Sequence, residues 1–141
     1  GLGDVYKRQT GGHALAGTSP LQSVRLGHLQ QRLEKCRQAI LRKDFDQFAE
    51  VVEEDSNLMH AVMRTSSPPL IYWLAETEII LWNVLAWRKE GIPACCTVDA
   101  GPNVHVLVLG DHADKLQARL SELPGVQRIF RASPGPGASL I

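Results

Sequence analysis

The sequence predicts an α+β fold, helices packed on an antiparallel sheet, on three observations: apolar residues recur at helical spacing through the first two-thirds of the chain, two short strand-forming runs follow, and a four-residue link joins those runs. Residues 10–20 (TGGHALAGTSP) are rich in small side chains and read as a loop, with Ser19 as N-cap and Pro20 in the first turn of a helix. That helix carries Leu26, Leu29, Leu33, Cys36 and Ile40 at steps of three and four, with Arg25, Arg32, Lys35 and Arg37 between them. A second helix begins after Asp44, a candidate N-cap, and its stripe is Phe45, Phe48, Val52, Asp55, Met59 and Val62. Ser66-Ser67-Pro68-Pro69 ends it, since proline lacks an N–H and pushes its predecessor out of the helical region. A third helix is predicted from about Leu74 to Lys89, with Ile80, Val84 and Trp87 on one side, and Gly91-Ile92-Pro93 stops it.

Ala94 to Val98 and Asn103 to Leu109 are rich in residues that fit a pleated surface, and the link Asp99-Ala100-Gly101-Pro102 predicts an antiparallel hairpin of two mostly buried strands. A short helix near His112 to Leu120, a turn at Leu123-Pro124-Gly125 and a last strand over Val126 to Arg131 complete the order α-α-α-β-β-α-β, ahead of a loop-like tail. Residues 1–9 (GLGDVYKRQ) show neither period and read as a foreign segment ahead of a domain over 10–141. The chain then reads as starting partway through a larger protein.

At 141 residues and 44% apolar content the chain can bury one core. Its formal net charge of +0 supplies no global field toward nucleic acid or an anionic membrane, so any anionic ligand must be held by local groups. No basic stripe accompanies Trp73, Trp82 and Trp87, and no apolar run approaches the roughly 20 residues of a membrane span. Cys36, Cys95 and Cys96 are odd in number and lack the spacing of a metal clip. They read as buried thiols in a reducing compartment, the cytoplasm.

On spacing alone the chemistry stays open. Asp99 is either the ordinary first residue of a turn, bonding its own backbone, or a carboxylate presented beside Gly101, where the backbone allows close approach of a ligand. The Gly11-Gly12-His13-Ala14-Leu15-Ala16-Gly17 run is a plain loop or a weak phosphate cradle, matching no nucleotide fingerprint. His60 sits near a helix end that suits a cation, His105 alternates with valines in a strand, and neither has ligand spacing with Asp99. Asp55 on an apolar stripe needs donors, as an internal bridge or cap or as a support behind a site.

Taken together the residues say more. Thr97-Val98-Asp99-Ala100-Gly101-Pro102-Asn103 resembles the Asp-Ala-Gly-Pro-Asn signature of diphosphomevalonate decarboxylases. Thr18-Ser19-Pro20-Leu21, Asp55-Ser56-Asn57 with His60, and Pro68-Pro69 with Tyr72 resemble three further segments of that family in the same order, and Gly135-Pro136-Gly137 resembles its closing Gly-Pro-Gly.

The resemblance implies the C-terminal lobe of a GHMP kinase fold, with a ferredoxin-like antiparallel sheet packed with helices, and an N-terminal ATP-binding lobe missing. It implies ATP-dependent decarboxylation of a mevalonate phosphate, with ATP and Mg2+ held mainly by the other lobe and a homodimer of the full-length protein. Asp99 is then the catalytic residue, with Gly12, His13, Ala100 and Gly101 binding substrate and no metal ligand in this chain. The Gly12-His13-Ala14 run departs from the pattern of the better-known diphosphate enzymes, which leaves phosphomevalonate as an alternative substrate. A non-catalytic ferredoxin-like binding module is the alternative of another class. A sister GHMP kinase would share the lobe but not the Asp-Ala-Gly-Pro-Asn turn in that role.

Overall fold

The computed structural model describes the backbone of residues 2–137 and the side chains of residues 9–137. Its order is α1 (Leu2–Ala16), α2 (Gln22–Gly27), α3 (Leu29–Arg42), α4 (Phe45–Arg64), α5 (Ala75–Lys89), β1 (Ala94–Val98), β2 (Val104–Val108) and α6 (Ala113–Ser121), the last preceded by a 3-10 turn over Gly110–His112. The class is α+β, as the helical stripes and the hairpin predict.

The first difference lies at the start. Residues through Ala16, expected as a foreign segment and a loop, are one helix, although its three glycines, Gly3, Gly11 and Gly12, each cost about 1 kcal/mol against alanine. Packing overrides that propensity. Gly12 is buried where α1 meets α4, and a Cβ there would stand 2.9 Å from the Tyr72 hydroxyl and 3.3 Å from Met63 Sδ.

The predicted first helix is divided at His28 into α2 and α3, and its start lies at Gln22, later than Ser19. Ser19 still accepts a bond from the Leu21 N–H, and its hydroxyl shares a 2.7 Å hydrogen bond with that of Thr65 at the far end of α4. Asp44 caps α4 as expected, accepting from the Gln47 N–H at 3.0 Å. Asp55 is an internal bridge: it receives Arg25 from α2 at 3.1 Å and Arg32 from α3 at 3.0 Å.

β1 and β2 pair antiparallel, Cys96 opposite Val106 and Val98 opposite Val104. Among the described residues the sheet has these two strands. β1 is buried as expected, between α4 and α5. β2 is not: His105 and Leu107 face out while Val104, Val106 and Val108 turn toward the core, because the helices cover one face of it alone. The predicted strand over Val126 to Arg131 has no regular structure. Val126 and Ile129 are its half-buried positions, a spacing of three that a pleated strand cannot present to one face, and Phe130 is 79% exposed.

The core gathers Val84 and Trp87 of α5, Ile92, Ala94 and Cys96 at β1, and Leu116 and Leu120 of α6. Cys95 and Cys96 are both buried free thiols, and Cys36 is half-buried. Burial pushes the Cys95 thiol up to about 12 and raises Cys96 likewise. No helix among the described residues is long and apolar enough to cross a membrane.

Two outcomes follow from this packing. Ile92, 1% exposed, should lose about 2–5 kcal/mol of stability on replacement by alanine, read by urea unfolding. Because both strand thiols stay protonated when folded and ionise near 9.0 when unfolded, the unfolded state sheds protons first. Stability should therefore fall as pH rises above about 9, by up to about 1.4 kcal/mol per pH unit for each thiol, and a Cys95→Ala, Cys96→Ala double variant should show a shallower decline.

Candidate active site

The turn between the strands is tied down at both ends. At Val98 the backbone N–H donates to Ser56 Oγ at 3.1 Å, and the carbonyl accepts from the same hydroxyl at 3.3 Å and from His60 Nε2 at 2.9 Å. At Pro102 the carbonyl accepts from Thr77 Oγ1 at 3.0 Å, and that hydroxyl in turn accepts the Leu74 N–H at the start of α5. Inside the turn the Gly101 N–H bonds the Asp99 carbonyl at 2.9 Å.

The Asp99 side chain is thus carried on a fixed backbone while itself 82% exposed. It opens on a cavity of about 460 Å³. All five residues singled out from the sequence, Gly12, His13, Asp99, Ala100 and Gly101, line that one cavity, although α1 and the hairpin turn lie far apart in the chain. Arg25, Tyr72 and His105 line it as well. His105 Nε2 stands 3.8 Å from Asp99 Oδ2, so this strand histidine faces the site.

Among the described residues Arg25 is the Lys or Arg side chain that lines the cavity, and its head is held by both oxygens of Asp55, at 3.3 and 3.1 Å. Asp55 also receives Arg32, whose side chain is 7% exposed and whose second nitrogen bonds the Arg25 carbonyl at 2.8 Å. One carboxylate against two guanidiniums leaves the wall net positive, which favours an anion opposite. Among the described residues Asp99 is the single carboxylate lining the cavity, and no group of three or more His, Cys, Asp or Glu side chains that could hold a metal occurs.

His60 differs from its sequence reading. It is 3% exposed, and burial holds its pKa below the ordinary value, so the neutral ring donates through Nε2 to Val98 and is no cation for the helix end. Its ring lies 4.9 Å from that of Trp73 and edge-on to Tyr72 at 6.0 Å. Sequence reasoning gave no site role to Glu53, Ser56, Thr77 or Arg25, although Ser56 stands in a segment that carries the resemblance. The spacing of Glu53, Ser56 and His60, three then four, marks one helical face and was the available signal. A second cavity, about 320 Å³ between α4 and α5, is lined by Glu53, Ser56, Asn57, Arg64, Trp73 and Trp82 among others and contains none of residues 99–103.

Comparison with known proteins bears on this geometry. Residues 9–133 match the family described as mevalonate 5-diphosphate decarboxylase C-terminal domain. Diphosphomevalonate decarboxylase of Candida albicans is 34% identical over 91% of this chain and 40% of that protein. Phosphomevalonate decarboxylase of Haloferax volcanii is 26% identical over 96% and 42%. A structure of mevalonate diphosphate decarboxylase from Enterococcus faecalis, concerned with mevalonate diphosphate mediated ATP binding, superposes with a TM-score of 0.78 at 31% identity, covering 84% of this chain and 37% of that one. The chain spans about two-fifths of the length of these relatives. Since the match takes in α2 through α6, the signature turn and the whole lining of the Asp99 cavity, the chain belongs to the mevalonate 5-diphosphate decarboxylase C-terminal domain family.

Proposed function

We propose that the complete protein catalyses the ATP-dependent decarboxylation of diphosphomevalonate to isopentenyl diphosphate, and that this chain supplies the wall of the active site that carries Asp99. The observation that carries the reading is the exposed Asp99 carboxylate, set at the mouth of the cavity on a turn anchored at both ends. The positive wall at Arg25 suits a phosphorylated substrate, and Gly12, His13, Ala100 and Gly101 lie where its polar end would pass.

The chemistry runs in two stages. The tertiary hydroxyl of the substrate attacks the terminal phosphoryl group of ATP, ADP leaves, and the hydroxyl proton is lost. Phosphate then departs with the C–O electron pair while the C–COO bond breaks, releasing CO2 and placing its electrons in the new double bond. A carboxylate is a weak base toward an alcohol, so Asp99 orients the hydroxyl and takes its proton late. A loose phosphoryl transition state makes that positioning worth more than early deprotonation.

With one carboxylate lining the cavity among the described residues, ATP and Mg2+ are assigned mainly to residues outside this chain. Residues 1–9 stay on this reading a foreign segment ahead of a domain over 10–141. The resemblance also carries a homodimer of the complete protein, and three free thiols fit a cytoplasmic location.

The test is CO2 release by the protein from the full reading frame, assayed with ATP and with diphosphomevalonate and phosphomevalonate separately. Release from diphosphomevalonate is expected, with Asp99→Asn lowering kcat by about 10²–10⁴-fold and leaving the unfolding midpoint in place. Release from phosphomevalonate alone would transfer the reading to the activity named for the Haloferax volcanii relative. No release from either would favour a non-catalytic binding module.

A further inference from the structure

We propose that Ser56 and His60 are positioning residues for Asp99: through the backbone of Val98 they set where the carboxylate stands, and they act on turnover without touching substrate. The inference rests on the assignment of Asp99 made above. Asp99 has little hold of its own, since its side chain is 82% exposed and His105 Nε2 stands 3.8 Å from its carboxylate, beyond hydrogen-bond distance. The position of the carboxylate therefore follows the backbone just before it. Val98 is 1% exposed, and both of its polar backbone groups are bound by α4 side chains, the N–H by Ser56 and the carbonyl by Ser56 and His60 together.

The three bonds converge on one peptide residue from two turns of one helix, which fixes both the height and the tilt of the strand end. His60 also packs edge-on against Tyr72, a wall residue of the same cavity, so one buried ring sets the turn and the wall that faces it. A neutral imidazole is suited to this. It donates one bond in a dry site without bringing a charge whose burial would cost several kcal/mol.

A loss of position should appear in turnover. Misplacement of a reacting group by about 1 Å costs on the order of 10²-fold. His60→Phe keeps the ring and removes the donor, and His60→Gln restores an amide donor near the Nε2 position. In the complete protein, His60→Phe is expected to lower kcat by about 10–100-fold with KM for both substrates held within about twofold, and His60→Gln to recover most of the loss. Ser56→Ala, a change of one atom, is expected to lower kcat by about tenfold at an unfolding temperature that still leaves the protein folded in the assay.

Wild-type kcat in both His60→Phe and Ser56→Ala, or equal loss in His60→Phe and His60→Gln, would overturn the positioning role. Should His60→Phe fail to fold, Ser56→Ala decides by itself, wild-type turnover overturning the role. If Asp99→Asn keeps full turnover, the assignment of Asp99 falls and this inference with it; if Asp99→Asn is inactive while the α4 variants are unaffected, only this inference falls.

Discussion

Helix α4 lays Glu53, Ser56 and His60 along the edge of β1 that β2 does not pair. Glu53 accepts the Cys96 N–H at 3.2 Å, Ser56 binds both backbone groups of Val98, and His60 donates to the Val98 carbonyl. Arg88 of α5, itself held by Glu53 at 2.7 Å, supplies the donor for the Ala94 carbonyl at 3.0 Å. Each of these groups buried without a partner would cost about 1–3 kcal/mol, and β1 is too deeply buried for water to serve instead. Side chains thus do for this edge what a neighbouring strand would do, and they also close it against pairing with another chain.

From that edge the rest of the site follows. The strand end at Val98 is fixed, Thr77 fixes Pro102, and the turn between them has one geometry in which Asp99 faces the cavity. On the opposite wall the buried Gly12 lets α1 approach Tyr72 and Met63 as closely as a helix can. Arg25 completes the lining from α2. Its guanidinium is held by Asp55, which stands on the same helix as Ser56 and His60, so α4 orders the cationic wall and the Asp99 turn from one element.

What the sequence made legible were the patterns with a single physical meaning. Three-and-four spacing gave the helices, the Asp44 cap and the proline pair bounded α4, and the turn chemistry of residues 99–102 gave the hairpin. Patterns with competing meanings misled. Small residues in 10–17 read as a loop because propensity ignores the packing of Gly12 against α4, and Val126 to Arg131 read as a strand because composition does not reveal a spacing of three. Polar residues facing a strand edge look like surface in a hydrophobic pattern, which is why Glu53 and Ser56 escaped and His60 was placed in the wrong role. Asp99 itself was ambiguous on spacing and became a candidate through the resemblance, while its convergence with Gly12 and His13 needed the fold.

The role proposed for Asp99 is to meet, on its anchored turn, the hydroxyl that receives the phosphoryl group. A crystal structure of the complete protein with diphosphomevalonate and a non-hydrolysable ATP analogue tests it most directly. The account predicts the tertiary hydroxyl within about 2.6–3.2 Å of the Asp99 carboxylate, in the cavity shared with Gly12, His13 and Arg25. Substrate seated in the cavity between α4 and α5, or a hydroxyl facing away from Asp99, would contradict it.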